Sequence, residues 1–217
     1  MKNKLDSLFF TPLFVSERKQ IAMIADEKSP ARISHRIFAT SRSEMENIMI
    51  KNVLDYLEQS AAKSPDKTAV ADEHNAFTYR ELLDNAQRVG AVLQKETPVR
   101  TAVPVYMEKS CNALAAFMGA AKAGCFYCLL DPAQPVERIQ MILATLGAEI
   151  MIVDEKSAKK QEKLGFSGKV LKIEELLEHT PDEEEIKQLD IIRENALDID
   201  PLYSIFTSGS TGVPKGV

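Results

Sequence analysis

The chain has 217 residues, of which 45% are hydrophobic, and this length and composition allow one sizeable globular core. The formal net charge is -5 at pH 7, and no basic stripe with interleaved aromatic residues is visible, which argues against a nucleic-acid partner. The apolar runs are too short to cross a bilayer and the first residues lack a signal-peptide cleavage pattern, so no membrane partner is expected either.

The first part of the chain differs from the rest. Residues 1–48 are rich in Ser, Arg, Lys and Met and show no clear hydrophobic period, so we interpret them as an N-terminal extension. From residue 49 onward the periodicity becomes sharper. We therefore predict that residues 49–217 belong to one domain.

The domain begins with a helix, a strand and a second helix. Apolar residues at helical spacing predict an amphipathic helix from about Ile50 to near Ser64-Pro65, and residues 67–71 are predicted to form a short strand. Thr78 and Glu81 have the spacing of a capping box, in which each side chain satisfies a backbone N–H of the first turn. A second helix should therefore begin at this point.

Strands then alternate with helices. The predicted elements are a strand over 101–107, a helix over about 110–123 ended by Gly124, a strand over 125–130, a helix over about 136–146 ended by Gly147, strands over 149–153 and 169–173, a short helix through 177 and a last strand over 202–206. The acidic residues 182–185 fit a solvated loop or a helix start. This order predicts an α/β fold, a layered αβα arrangement with a mostly parallel sheet.

The segment Phe206-Thr-Ser-Gly-Ser-Thr-Gly-Val-Pro-Lys-Gly216 has the chemistry of a polyphosphate site. Three glycines let the backbone approach a ligand and adopt positive φ: Gly209, Gly212 and Gly216. Four hydroxyl groups accompany the backbone N–H groups: Thr207, Ser208, Ser210 and Thr211. Lys215 adds a mobile positive charge. The lysine does not have the spacing of a Walker A loop, and a flexible linker would need neither the preceding apolar strand nor the Pro-Lys-Gly ending.

This segment resembles the signature loop of the adenylate-forming (AMP-binding) superfamily, which reads Tyr/Phe-Thr-Ser-Gly-Ser/Thr-Thr-Gly-x-Pro-Lys-Gly. The superfamily includes acyl-CoA synthetases, nonribosomal peptide synthetase adenylation domains, D-alanyl carrier protein ligases and luciferases. Two weaker resemblances are Phe77-Thr-Tyr-Arg-Glu-Leu82 and Ala121-Lys-Ala-Gly-Cys-Phe-Tyr-Cys-Leu-Leu-Asp-Pro132. In the second, Phe126 and Cys128 replace a small residue and a proline, and Asp131 tilts the resemblance toward amino-acid adenylation domains or D-alanyl carrier protein ligases.

The resemblance implies an ATP-dependent ligase that uses Mg²⁺. The enzyme would activate a carboxylic acid, with an amino acid favoured, as an acyl-AMP and pass it to a phosphopantetheine thiol of a carrier protein or to CoA. By position, the β- and γ-phosphates would be held by Thr207, Ser208, Gly209, Ser210, Thr211 and Gly212. Lys215 would be the catalytic cation.

The resemblance also implies an incomplete enzyme. Residues 49–217 would be the first part of the large N-terminal domain, and the remaining motifs would lie beyond Val217, so we expect no activity from this chain alone. Two alternatives stay open: a fragment of an acyl- or aryl-CoA synthetase, and a non-catalytic, truncated nucleotide-binding or interaction domain.

Cysteine and histidine residues suggest no second chemistry. Three cysteines are an odd number, which favours a reducing cytoplasm over a disulfide framework. Cys125 and Cys128 have CxxC spacing, but residues three apart on a strand point to opposite faces, so we predict buried cysteines rather than a metal site. Surface or capping roles are expected for the three histidines, His35, His74 and His179.

Overall fold

The structure, a computed structural model, describes residues 50, 52–208 and 214–217, with residue 208 described by its backbone alone. The predicted extension over 1–48 lies outside these residues. The described helices are α1 (Val53–Lys63), α2 (Tyr79–Glu96), α3 (Cys111–Lys122), α4 (Val136–Leu146), α5 (Glu155–Gln161), α6 (Ile173–Glu178) and α7 (Glu183–Glu194). The strands are β1 (Thr68–Ala71), β2 (Ala76–Thr78), β3 (Ala102–Tyr106), β4 (Phe126–Leu130), β5 (Ile150–Val153), β6 (Lys169–Lys172), β7 (Phe206–Ser208) and β8 (Pro214–Gly216).

A four-stranded parallel sheet with the order β4-β3-β5-β6 forms the centre of the domain. Every residue of β3 and β5 is buried, because both faces of the sheet are covered. One face packs against α2, α3 and α6, and the other packs against α4 and the segment that follows α5. The predicted layered α/β fold is therefore confirmed for the described residues.

Capping residues set the helix ends. The Thr78–Glu81 capping box is present as predicted, with the Glu81 N–H donating to Thr78 Oγ1 at 3.2 Å. Helix α1 begins at Val53 rather than near Ile50, because the Asn52 side chain accepts a hydrogen bond from the Leu54 N–H at 2.9 Å.

Glycines end two helices where the sequence predicts it. Gly124 has φ 70° after α3, and the N–H of Cys125 donates to the carbonyl of Ala120, which satisfies a free carbonyl of the last turn. Gly147 has φ 59° and follows α4 directly.

Helices α2 and α3 cross at close range on one face of the sheet. Gly90 and Gly119 lie at the contact, and a Cβ atom at position 119 would be 2.3 Å from Val89 Cγ1. Ala86 and Val89 are fully buried here. The absence of a side chain at Gly119 therefore allows the two backbones to approach.

Some predicted elements need correction. The sequence predicts a continuous strand over 202–206, but only Tyr203 forms a bridge, to Tyr127 of β4, before β7 starts at Phe206. Strand β2 and helix α5 are additional elements, and the acidic residues 182–185 are a helix start, with Asp182 as the cap of α7. Among the described residues, no helix combines the length and the apolar character needed to span a membrane.

Candidate phosphate-binding hairpin

The segment with polyphosphate chemistry forms an antiparallel hairpin. Strand β7 pairs with β8 in a register that places Phe206 opposite Gly216 and Thr207 opposite Lys215. The pairing extends one residue further, because Ile205 and Val217 exchange two backbone hydrogen bonds of 3.1 and 2.9 Å. Both ends of the glycine- and hydroxyl-rich segment are thus held in one ladder.

The two faces of this hairpin differ in character. The Phe206 ring packs against the buried cluster that contains Tyr106, Cys128 and Leu130, and Pro214 is also buried. Because side chains alternate along a strand, Thr207 and Lys215 lie on the opposite face, and both are exposed. Lys215 makes no ion pair with any described residue, so its ammonium group remains available for an anion.

One glycine of the segment has a different role from the predicted one. Gly216 lies in strand β8 and does not adopt positive φ. A Cβ atom at this position would lie 3.1 Å from Phe206 Cζ and 3.2 Å from Phe206 Cε1. The glycine therefore makes room for the aromatic ring that anchors the hairpin.

The hairpin lies at the carboxyl end of β4. The N–H of Tyr127 donates to the Leu202 carbonyl at 3.2 Å, and the N–H of Ser204 donates to the Tyr127 carbonyl at 2.9 Å. The bridge between Tyr127 and Tyr203 is parallel, so Phe206 lies about 10 Å further along the strand direction. Ligands of parallel α/β sheets bind at this end.

Only some of the predicted site residues can be located. Thr207 and Lys215 are brought together across the ladder, and the backbone of Ser208 continues β7. The other predicted phosphate-binding residues, Gly209, Ser210, Thr211 and Gly212, lie outside the described residues. Their phosphate contacts remain a prediction.

One residue outside the predicted site, Arg138, also contacts this region. Arg138, in the first turn of α4, donates from Nη2 to the Phe206 carbonyl at 3.1 Å and from Nε to Gln134 Oε1 at 3.1 Å. The only sequence signal for the pair is the four-residue spacing of Gln134 and Arg138, which is common on helix surfaces. The contact with Phe206 spans 68 residues and has no local signature.

The cysteines pack inside the domain. Cys125 and Cys128 pack in clusters on opposite faces of the sheet, which confirms the reason for rejecting a shared metal ion. Cys111 is also buried, and all three are free thiols. Burial, with a smaller contribution from Asp72, raises the pKa of Cys111 to about 11, and burial raises that of Cys128 to about 11.

Asp131, which the sequence analysis used to favour an amino-acid substrate, belongs to a turn. Its Oδ1 atom accepts a hydrogen bond from the Ala133 N–H at 2.8 Å, and its carbonyl accepts one from the Gln134 N–H at 3.0 Å. An asparagine side chain offers the same acceptor. The structure therefore gives this residue a role in shaping the turn beside the hairpin.

Comparisons with known proteins agree with this geometry. The AMP-binding enzyme family matches residues 57–217. A nonribosomal peptide synthetase from Aspergillus flavus, agiA, is 37% identical over 177 residues, which are 76% of this chain and 2% of that protein. Nonribosomal peptide synthetase 5 from Gibberella zeae is 36% identical over 165 residues, which are 75% of this chain and 1% of that protein.

A solved structure shows the same relationship. The N-terminal subdomain of Klebsiella oxytoca NpsA, determined in complex with 3-hydroxybenzoyl-AMSN, superposes with a TM-score of 0.61 at 25% identity, covering 77% of this chain and 40% of that one. The chain thus spans a small part of the synthetases and less than half of this subdomain. The matched residues include the hairpin and the sheet that carries it, and the chain belongs to the AMP-binding enzyme family.

Proposed function

We propose that this chain supplies the triphosphate-binding part of an ATP-dependent ligase that activates a carboxylic acid as an acyl-AMP. The observation that carries the proposal is the pairing of Thr207 with Lys215 on the exposed face of a hairpin at the carboxyl end of a parallel sheet. A hydroxyl donor and a free cation on one face suit phosphate oxygens. The glycine- and hydroxyl-rich residues 209–213 join the two strands and would add backbone N–H donors.

In the proposed reaction, a carboxylate oxygen attacks the α-phosphorus of ATP. The bond from this phosphorus to the oxygen bridging the α- and β-phosphates breaks, and pyrophosphate leaves with the electron pair. Negative charge therefore grows on the β- and γ-phosphates. Lys215 and the Thr207 hydroxyl would stabilise that charge, and the ladder with β7 would keep the two groups oriented before the reaction begins.

Mg²⁺ is proposed to arrive as part of the nucleotide substrate. The described residues contain no group of three His, Cys, Asp or Glu side chains able to hold a metal ion. The phosphates of ATP supply oxygen ligands of the type that Mg²⁺ prefers, and the ion retains several waters in such sites. Its contribution would be to neutralise the same charge that Lys215 faces.

The proposed acid and acceptor are supported by the relatives rather than by the hairpin. The two relatives described above are nonribosomal peptide synthetases, which supports an amino acid as substrate and a carrier-protein phosphopantetheine thiol as acceptor. CoA would be the acceptor in the alternative, an acyl- or aryl-CoA ligase. A cytoplasmic location completes the proposal and is supported by three free, buried thiols.

The nucleotide part of the proposal can be tested with the 217-residue chain. Hydrogen exchange of residues 205–217 should slow when Mg-ATP is added, because phosphate oxygens would accept hydrogen bonds from the backbone of this segment. The control is Mg-AMP, which lacks the β- and γ-phosphates and should give little protection there. Equal protection by both nucleotides, or by neither, would contradict a triphosphate-binding role.

Adenylation itself is tested by exchange of radiolabelled pyrophosphate into ATP. The assay uses the full polypeptide in which this sequence occurs in the cell, rather than the 217 residues alone. It is run with a panel of amino acids and of aryl and aliphatic acids. Exchange that depends on one class of acid would identify the substrate class. Nucleotide protection without exchange for any acid would favour the non-catalytic nucleotide-binding alternative.

A further inference from the structure

We infer that Arg138 is a positioning residue for the phosphate-binding hairpin, an inference that rests on the function proposed above. Its guanidinium group joins the Phe206 carbonyl, at the start of the hairpin, to the Gln134 side chain, in the turn after β4. Thr207 follows Phe206 directly, so the position of this carbonyl sets the position of the first hydroxyl of the site. Arg138 would thereby influence the affinity for the triphosphate without touching it.

The backbone pattern explains why the Phe206 carbonyl needs an outside partner. Ile205 and Val217 form a hydrogen-bonded pair of the antiparallel ladder. Such pairs alternate with pairs that exchange no hydrogen bonds, so the N–H and carbonyl of Phe206 point away from β8. Arg138 Nη2 donates to this carbonyl at 3.1 Å. A charged donor gives this outer edge of a two-stranded hairpin a stronger hydrogen bond than a neutral one would.

The arginine is itself held in place on the other side. It lies in the first turn of α4, where its N–H donates to the Pro135 carbonyl at 3.1 Å. Its Nε atom donates to Gln134 Oε1, and the Gln134 N–H donates to the Asp131 carbonyl at 3.0 Å. Because the guanidinium group is planar, fixing Nε also fixes the direction of Nη2. The turn after β4 and the hairpin are therefore coupled through one rigid group.

Phe206 is thus anchored twice. Its ring packs in the buried cluster beneath the hairpin, and its carbonyl is bound by Arg138. The ring alone limits how far the hairpin can lift from the sheet, but it leaves rotation about the strand axis less restricted. The second contact would restrict that rotation, which would otherwise change the direction of the Thr207 and Lys215 side chains.

The test compares three variants in the 217-residue chain by hydrogen exchange and by Mg-ATP titration. R138Q removes the charged donor, R138K keeps the charge without the planar fork, and Q134A removes only the acceptor of Nε. We expect R138Q to speed exchange of the ligand-free hairpin and to raise the Kd for Mg-ATP, each by about tenfold. R138K should recover part of both effects, and Q134A should give a smaller change in the same direction.

Arg88 provides a matched control. Its Nη1 atom donates to the carbonyls of Leu177 and His179 at 3.2 and 3.0 Å, so R88Q loses the same kind of contact at a different place. R88Q should leave the hairpin exchange and the Kd for Mg-ATP within about twofold of the starting chain. Equal effects of R88Q and R138Q would show a general loss of stability and would overturn the inference. Q134A preserves the test if R138Q fails to fold.

The outcomes also separate this inference from the proposed function. Unchanged exchange in the ligand-free R138Q chain would overturn the anchoring role, whatever happens with nucleotide. Faster exchange with an unchanged Kd for Mg-ATP would overturn the positioning role. If the starting chain itself binds no Mg-ATP, the proposed function fails with it, whereas the ligand-free exchange still decides whether Arg138 anchors the hairpin.

Discussion

Thr207 lies directly opposite Lys215 in the β7–β8 ladder, although seven residues separate them in the chain. Opposite residues of a hydrogen-bonded antiparallel pair have Cα atoms about 5.5 Å apart, and their side chains leave the hairpin on the same face. This face is exposed, whereas the other carries the Phe206 ring into the core. The signature segment thus presents its first hydroxyl and its only cation together.

The first prediction concerns Lys215. In the active polypeptide, Lys215→Ala should slow acyl-adenylate formation by about 10- to 150-fold, because a charge-assisted contact to phosphate contributes about 1.5–3 kcal/mol. Thiol transfer from preformed acyl-adenylate should change little, since pyrophosphate has already left. Lys215→Arg should restore only part of the rate. Both half-reactions are measured on the same variant.

A lysine elsewhere on the sheet is the control for this prediction. Lys172, at the end of β6, is exposed, and among the described residues its one ion pair is with Glu175, at 3.4 Å. Lys172→Ala should leave both half-reactions unchanged. If Lys215→Ala slows thiol transfer as much as adenylation, its assignment to the pyrophosphate side is wrong.

The second prediction concerns thiol reactivity. Cys111, Cys125 and Cys128 are buried, and burial raises the pKa of each thiol, so little thiolate is present at pH 8. A water-soluble disulfide reagent should react with none of the three in the folded chain at a rate near that of a free cysteine. All three should react rapidly in denaturant. If one thiol of the folded chain reacts at the rate of a free cysteine, that cysteine is accessible to the reagent and the prediction is wrong for it.

Much of the fold follows from local chemistry that a sequence displays. The Thr78–Glu81 capping box, Gly124 and Gly147 mark helix ends through contacts within a few residues, so their positions were predictable. Helix α5 carries no apolar period, and strand β2 has only three residues, so neither produces a signal above that of a loop. Tertiary contacts stabilise these elements, and a single sequence does not show such contacts.

The candidate site also has some features that the sequence predicts and others that depend on tertiary contacts. The residue types of the phosphate-binding segment were evident from the motif, but the pairing of Thr207 with Lys215 depends on the register of the hairpin. The contact between Arg138 and Phe206 joins residues 68 apart, and nothing local to either residue indicates it. From the sequence, Gly216 is expected to provide positive φ, and this reason for a glycine is wrong. The structure shows instead that its small size accommodates the Phe206 ring.

A third prediction tests the close crossing of α2 and α3. In Gly119→Ala, the new Cβ atom would lie 2.3 Å from Val89 Cγ1 and 2.4 Å from Val89 Cβ, so the helices must separate. We expect the free energy of unfolding to fall by about 1–3 kcal/mol in urea denaturation. Adding Val89→Ala removes the contact with Cγ1 and leaves the one with Cβ, so the double variant should be less destabilised than the sum of the single variants by about 0.5–3 kcal/mol.

Gly147 is the control for that cycle. It has φ 59°, and a Cβ atom there would meet nothing within 4 Å. Gly147→Ala should therefore lose about 1–2 kcal/mol from backbone strain alone. It should combine additively with Val89→Ala. If the free-energy changes of Gly119→Ala and Val89→Ala are also additive, the two residues do not clash and the close crossing is contradicted.

The last prediction begins from a buried carboxylate that joins α2 to α7. Glu185 is 4% exposed, and its carboxylate accepts hydrogen bonds from Lys95 Nζ at 2.6 Å and from the Asp182 N–H at 2.7 Å, with His179 Nε2 at 3.0 Å. Burial opposes ionisation, but these contacts outweigh it and lower the pKa of Glu185 to about 2. His179 also caps the end of α6, a role expected from the sequence.

Because the folded state holds Glu185 ionised more strongly than the unfolded state, where its pKa is about 4.3, its contribution to stability is complete above that value. As the pH falls from about 4.3 to about 2, the unfolded state takes up the proton first, and the contribution is lost.

Glu185→Gln should reduce the free energy of unfolding at pH 7 by about 1–3 kcal/mol, because the neutral amide cannot form an ion pair with Lys95. The same variant should lose less stability than the starting chain between pH 5 and pH 3, as measured by urea denaturation. Asp66→Asn, which removes an exposed partner of Arg80, should leave that pH dependence nearly unchanged. Parallel pH profiles for Glu185→Gln and the starting chain would mean that the Glu185 contacts are equally strong in both charge states, contrary to the lowered pKa.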